Sequence, residues 1–137
     1  MVEHQFEDYE IKLFYKTFGS ILSSEERFRT FLSIPIKGGI STDGIINNAG
    51  VPRSSVYKFV RDLKDEDIIE KIGDDFYLTK LGTEMLNYIN NGKEKLLPIK
   101  REVGIKKIVN EISKRFGDDI GNDVEDIIRK KLKEYDK

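Results

Sequence analysis

The tripeptide Gly50-Val51-Pro52 constrains this chain more than any other feature. Glycine takes the left-handed conformation that ends a helix, and proline is tolerated only where a helix starts. The three residues therefore separate two helices by a tight turn. Ser41 is placed to cap the first of them, with its hydroxyl taking a free N–H of the first turn. Ile40 and Ile45 flank it at the spacing of a hydrophobic staple, and Ile45, Ile46 and Ala49 give a short apolar face. In the second helix Val56, Phe59, Val60 and Leu63 share one face of a 3.6-residue period, which predicts burial.

The other face of that second helix carries Arg53, Ser54, Ser55, Tyr57, Lys58 and Arg61, with no acidic residue before Asp62. Guanidinium, ammonium and hydroxyl groups are the chemistry that meets phosphates and base edges. Downstream, Ile68, Ile69 and Ile72 lead into Gly73-Asp74-Asp75, and Phe76, Tyr77 and Leu78 lead out. Two β-prone runs about a short Gly/Asp turn predict a hairpin. Thr79 can cap a following helix through Leu81, Met85, Leu86 and Ile89.

This order (short helix, turn, longer helix, hairpin, helix) resembles the winged helix-turn-helix of small prokaryotic transcription regulators. The resemblance covers roughly Ser23 to Asn91 and rests on Gly50-Val51-Pro52-Arg53-Ser54-Ser55-Val56-Tyr57, Leu63, Ile68-Ile69-Glu70 and Tyr77-Leu78-Thr79-Lys80-Leu81-Gly82. MarR-like, ArsR-like and PadR-like regulators and archaeal chromatin-like winged helices all look similar here. In them the Leu-Thr-Lys-x-Gly run closes the wing and opens the next helix. Asp67 departs from the pattern, since many relatives have glycine there.

The resemblance implies a mainly α fold with a small β-hairpin wing. A winged domain over residues 23–92 would be flanked by an N-terminal helix (1–22) and a C-terminal helical extension (93–137). It also implies a homodimeric, sequence-specific regulator that reads duplex DNA through a major-groove helix at about residues 52–64. Arg53, Lys58 and Arg61 would then neutralise phosphates or reach guanine edges, and Ser54 and Ser55 would meet phosphates or bases. Thr42 would touch the backbone from the first helix of the motif. Tyr57 would contact a base edge or thymine methyl, or else pack at the rim. Lys71 and Lys80, at the base of the wing, are better phosphate partners than its tip, where Asp74 and Asp75 oppose contact.

Charge tempers this reading. The net charge is −1, against a general nucleic-acid coat. Residues 41–92 hold six basic and nine acidic side chains, and residues 93–137 thirteen and ten. The acidic balance of the middle segment keeps a second reading in play, a winged helix used as a protein-interaction module in a transcription or chromatin assembly.

The remaining signals exclude more than they add. Without cysteine there is no disulfide frame and no thiolate metal site. No apolar run spans a bilayer, and Met1 to Glu10 lacks a signal-peptide core, so a cytoplasmic protein is expected. Phosphate-loop, nucleophile-elbow and dinucleotide-binding patterns are absent, and no catalytic residue, metal or cofactor is assigned. His4, the single histidine, has no second ligand beside it. Asp118-Asp119-Ile120-Gly121-Asn122-Asp123 does not fit a calcium loop and reads as acids opening a helix.

The flanks carry apolar stripes. Phe6, Tyr9, Leu13, Phe14, Phe18 and Ile21 predict an amphipathic helix over residues 5–18, broken at Gly19-Ser20. Ser23 and Glu26 predict a capping box for a helix that buries Phe28, Phe31 and Leu32 and ends at Pro35. Asn90-Asn91-Gly92-Lys93 predicts a helix stop, with a restart at Pro98. Stripes from Ile105 to Phe116 and from Ile120 to Tyr135 follow, interrupted at Gly117. Such faces exceed what one small domain covers, which points to dimerisation and leaves room for a small-molecule effector between the helices.

Overall fold

The computed structural model of the chain describes residues 6–135; His4 lies outside them. The chain splits into two compact units, Met1–Ile89 and Asn90–Lys137. The first holds α1 (Asp8–Leu22), α2 (Glu25–Leu32), β1 (Ile40–Ser41), α3 (Thr42–Ala49), α4 (Arg53–Asp65), β2 (Ile69–Ile72), β3 (Asp75–Leu78) and the start of α5 (Lys80–Phe116). The fold is mainly α with a small antiparallel wing, a winged-helix-like arrangement, as the sequence predicts.

The turn chemistry at the centre is as expected. Ser41 Oγ accepts from the Gly44 N–H at 3.1 Å, and Gly50 ends α3 at φ 65°. α4 starts directly after Pro52 and buries Val56, Phe59, Val60 and Leu63. These pack with Ile21, Phe31, Ile34, Ile45, Ile68, Ile69, Phe76 and Met85 into one core. The hairpin pairs Ile69 with Leu78 and Ile72 with Asp75, leaving Gly73 at φ 64° in the turn. A third strand, β1, was not anticipated: Ile40 pairs with Phe76 on the other edge of β3, giving the order β1-β3-β2. Two residues carry too little alternation to announce a strand.

α4 stops in a Schellman motif. The Ile68 N–H donates to the Leu63 carbonyl and the Asp67 N–H to the Lys64 carbonyl, each at 3.0 Å. Asp67 occupies the left-handed region at φ 61°, the one non-glycine among the described residues to do so. This is the position at which the sequence departs from the pattern it resembles. Aspartate tolerates the conformation better than most side chains.

Four expectations are corrected. Gly19-Ser20 does not break α1, which continues to Leu22. Ile21 is fully buried in the core, and that anchor offsets the roughly 1 kcal/mol that glycine costs a helix. Ser24, not Ser23, caps α2: Ser23 stays helical as the end of α1, whereas Ser24 is extended and its Oγ accepts from the Arg27 N–H. Leu32 is exposed and Ile34 takes the core place assigned to it. Finally, α5 runs unbroken from Lys80 to Phe116 through Asn90-Asn91-Gly92 with Pro98 inside it. Asn and Gly weaken a helix by only about 1 kcal/mol each, which cooperative propagation along a helix this long tolerates.

The second unit is a helical hairpin: the later part of α5 turns at Gly117 (φ 95°) into α6 (Asp118–Tyr135). Asp118 and Asp119 lie in the first turn of α6. Gly121 is buried against the Ser113 side chain of α5, leaving no room for a Cβ. Arg129 forks onto Glu102 with Nη–Oε distances of 2.7 and 3.0 Å, and its Nε donates to Glu125 at 2.9 Å.

Two predictions follow from these geometries. Asp67→Gly relieves a left-handed aspartate and raises stability by about 0.5–1 kcal/mol in urea unfolding, whereas Asp67→Val lowers it. The Arg129 guanidinium holds the Glu102 carboxyl below its ordinary value of 4.5. The pair therefore stabilises the hairpin above pH 4.5 and stops doing so as pH falls through the lowered native value. Thermal melts at pH 6 and pH 3 should differ less for Glu102→Gln than for the parent chain.

Candidate nucleic-acid interface

At 100° per residue the buried stripe of α4 places Ser54, Lys58, Arg61 and Asp65 at the centre of its opposite face. Arg53, Tyr57 and Lys64 lie along one edge, with Ser55 and Asp62 along the other. Burial agrees: Arg53, Ser54, Tyr57, Lys58, Arg61, Lys64 and Asp65 are exposed, and Ser55 and Asp62 are half-buried. Lys64, overlooked in the sequence, belongs to this face, and its spacing of seven residues from Tyr57 is the signal that marks it.

Asp62 does not oppose the basic side chains as its sequence position suggests. It faces α2, where its Oδ2 accepts from Arg27 Nη2 at 2.9 Å. Arg27 also donates to the Ser20 carbonyl at 3.2 Å and stacks over the Phe59 ring, 5.2 Å from its centroid. Its Nε is buried without a hydrogen-bond partner. This arginine joins α1, α2 and α4. Thirty-five residues separate it from Asp62, too far for local spacing to reveal the pair.

Arg53 is already engaged. It pairs with Asp43 of α3 at 3.1 Å and reaches the Tyr57 hydroxyl at 3.4 Å. The Tyr57 hydrogen bond, then Asp43, raise its pKa further above the ordinary arginine value. Among the described residues Lys58 makes no ion pair, and Arg61 only a long one to Asp62 at 3.9 Å. Thr42 begins α3, half-buried, next to the residue that holds Arg53. Lys71 lies over the Phe76 ring of the wing, 5.8 Å from its centroid, and Lys80 is the exposed first residue of α5. Neither is bonded to the α4 face.

The start of α4 carries no cap and no acid of its own. Pro52 offers no side chain to cap it and its first turn has no acid. Its first N–H groups and positive dipole end are therefore available to an anion, beside the Ser54 and Ser55 hydroxyls. Among the described residues no group of three or more His, Asp or Glu side chains is arranged to hold a metal ion, and no helix is long and apolar enough to cross a membrane. No protein-family model matches the chain. No curated protein matches it either.

The Arg27–Asp62 pair yields a cycle. Asp62→Leu leaves a half-buried guanidinium without its charge partner and should cost about 2 kcal/mol. The double variant Arg27→Met/Asp62→Leu should recover much of that loss in denaturant unfolding, because it leaves no unpaired charge behind.

Proposed function

We propose that this protein is a cytoplasmic, homodimeric transcription regulator that binds duplex DNA sequence-specifically, with α4 entering the major groove. The observation that carries the proposal is the sorting of charge about α4. Lys58 and Arg61 are exposed, Asp62 is turned onto Arg27, the exposed acid left at the centre of the face is Asp65 in the last turn, and the uncapped helix start bears two serines. Lys58 and Arg61 then reach phosphates or guanine edges, and Ser54 and Ser55 meet the backbone at the helix N-terminus. Arg53 exchanges Asp43 for a phosphate or base, with Thr42 beside it on the backbone. Tyr57 reads a base edge or methyl group. Lys71 and Lys80 supply flanking phosphate contacts. The mechanism is occupancy, and no reaction is assigned.

The homodimer is supported by apolar surface that the second unit leaves bare. Among its described hydrophobic side chains only Ile105 and Val109 are buried, while Leu96, Ile99, Ile108, Phe116 and Ile127 are at least half exposed. Patches of this kind mark association surfaces. Two α4 helices held by a two-fold axis would meet successive major grooves. The alternative, a winged helix that binds protein, is favoured by Asp43 at Arg53 and by exposed Asp74 at the wing tip.

The decisive variant is Lys58→Ala/Arg61→Ala. It should fold normally and lose affinity for sequences selected from a random duplex pool. A base-contacting residue should cost about 1–3 kcal/mol on particular sequences only, and a phosphate-contacting one should act uniformly and flatten the salt slope. Phe59→Ala should instead cost about 3–5 kcal/mol of stability. Wild-type affinity in the double variant would move the protein-binding reading to first place, and a monomer in light scattering at tens of micromolar would remove the dimer.

A further inference from the structure

We infer that the groove between α1 and the start of α5 binds a hydrophobic organic cation with an aromatic body. The groove lies wholly within the first unit and encloses about 310 Å³, within the range of small-molecule pockets (roughly 300–1,000 Å³). Its floor is Met85, a member of the core, with Leu81 beside it. Its walls are rings. Phe14 and Phe18 lie nearly parallel, with planes 8° apart and centroids at 6.1 Å, and Tyr88 leans on Phe18 at 5.7 Å. Phe6 stands edge-on to Phe14 at 6.1 Å, and Phe14 and Tyr88 remain 48% and 68% exposed, so both rings keep surface that a ligand can reach.

Charge selects the occupant. Two polar side chains line the groove, Thr17 and Glu84, and no lysine or arginine does. Among the described residues Glu84 has no ion-pair partner. A carboxylate beside aromatic faces attracts a cation twice over, by direct charge and through the ring quadrupoles. The same pair of features repels a carboxylate ligand. A cationic head at Glu84 with an aromatic body laid against the exposed parts of Phe14 and Tyr88 satisfies both the apolar walls and the one charge. The groove uses no residue of the α4 face, so this inference stands apart from DNA binding.

The test compares three small probes by calorimetry on the full chain. They are phenyltrimethylammonium, its neutral isostere tert-butylbenzene, and benzoate. The cation should bind about fivefold or more tighter than the neutral isostere, and benzoate should not bind. Glu84→Gln should remove most of the cation's advantage while leaving tert-butylbenzene binding unchanged. Tyr88→Leu should weaken the cation more than the isostere. Equal affinity for cation and isostere, binding of benzoate, or no binding of the cation would overturn the inference. So would a Tyr88→Leu variant that turns a dimer into a monomer without changing cation affinity, which would assign the groove to a second copy.

Discussion

The wing depends on the backbone at Ile68. Its N–H closes the end of α4, and its carbonyl accepts from the Thr79 N–H at 3.1 Å and lies within 3.0 Å of the Thr79 hydroxyl. That hydroxyl also donates to the Asp67 carbonyl at 2.6 Å and accepts from the Gly82 N–H at 3.1 Å. Gly82 in turn rests against the Ile68 carbonyl so closely that a Cβ would collide with it. One residue therefore ties together the end of α4, both ends of the hairpin and the start of α5. The Leu-Thr-Lys-x-Gly run acquires a physical meaning from this junction. Threonine supplies the cap, and glycine lets the helix reach the carbonyl. The left-handed Asp67 turns the chain into it, and the buried Ile68 and Leu63 side chains sit on either side of the turn.

Charge placement follows from packing at the same core. The segment around α4 is acidic by count, yet its acids are not spread evenly over its surface. Arg27 draws Asp62 into the contact between α2 and α4, where the Phe59 ring also receives the guanidinium. Such a pair costs desolvation and returns it through several simultaneous contacts. For the outer face, the consequence is that Asp62 bonds closely to Arg27 and keeps only a long contact, 3.9 Å, with Arg61. Asp43 acts oppositely, holding Arg53 at an exposed site where ion pairs contribute little and exchange readily.

α5 continues through two residues that local rules read as breakers. Gly92 and Pro98 both lie inside it. Proline removes one hydrogen bond and crowds the carbonyl a turn earlier, but the remaining turns on both sides continue. In the second unit, specificity of packing comes from a small residue and a fork: Gly121 lets α6 approach Ser113, and Arg129 reads Glu102 with two nitrogens.

The local elements about the turn were legible from sequence because each rests on neighbours within four residues. Ser41 as cap, Gly50 as stop, the start of α4 after Pro52, its buried stripe and the Gly73 turn all obey such rules. The same rules fail where two elements compete for one residue, as at Ser23 and Ser24, and where a distant core contact outweighs a local cost, as at Gly19 before Ile21. Strand β1 exists only because Phe76 is brought beside Ile40. Of the α4 face, the sequence by itself determined which residues share it. Tertiary structure alone decided that Asp62 leaves it, that Arg53 is held by Asp43, and that Phe14, Phe18, Tyr88 and Glu84 meet in one groove. Helical period is a property of adjacent residues, whereas the partner of a charge or ring is set by whichever element packs against it.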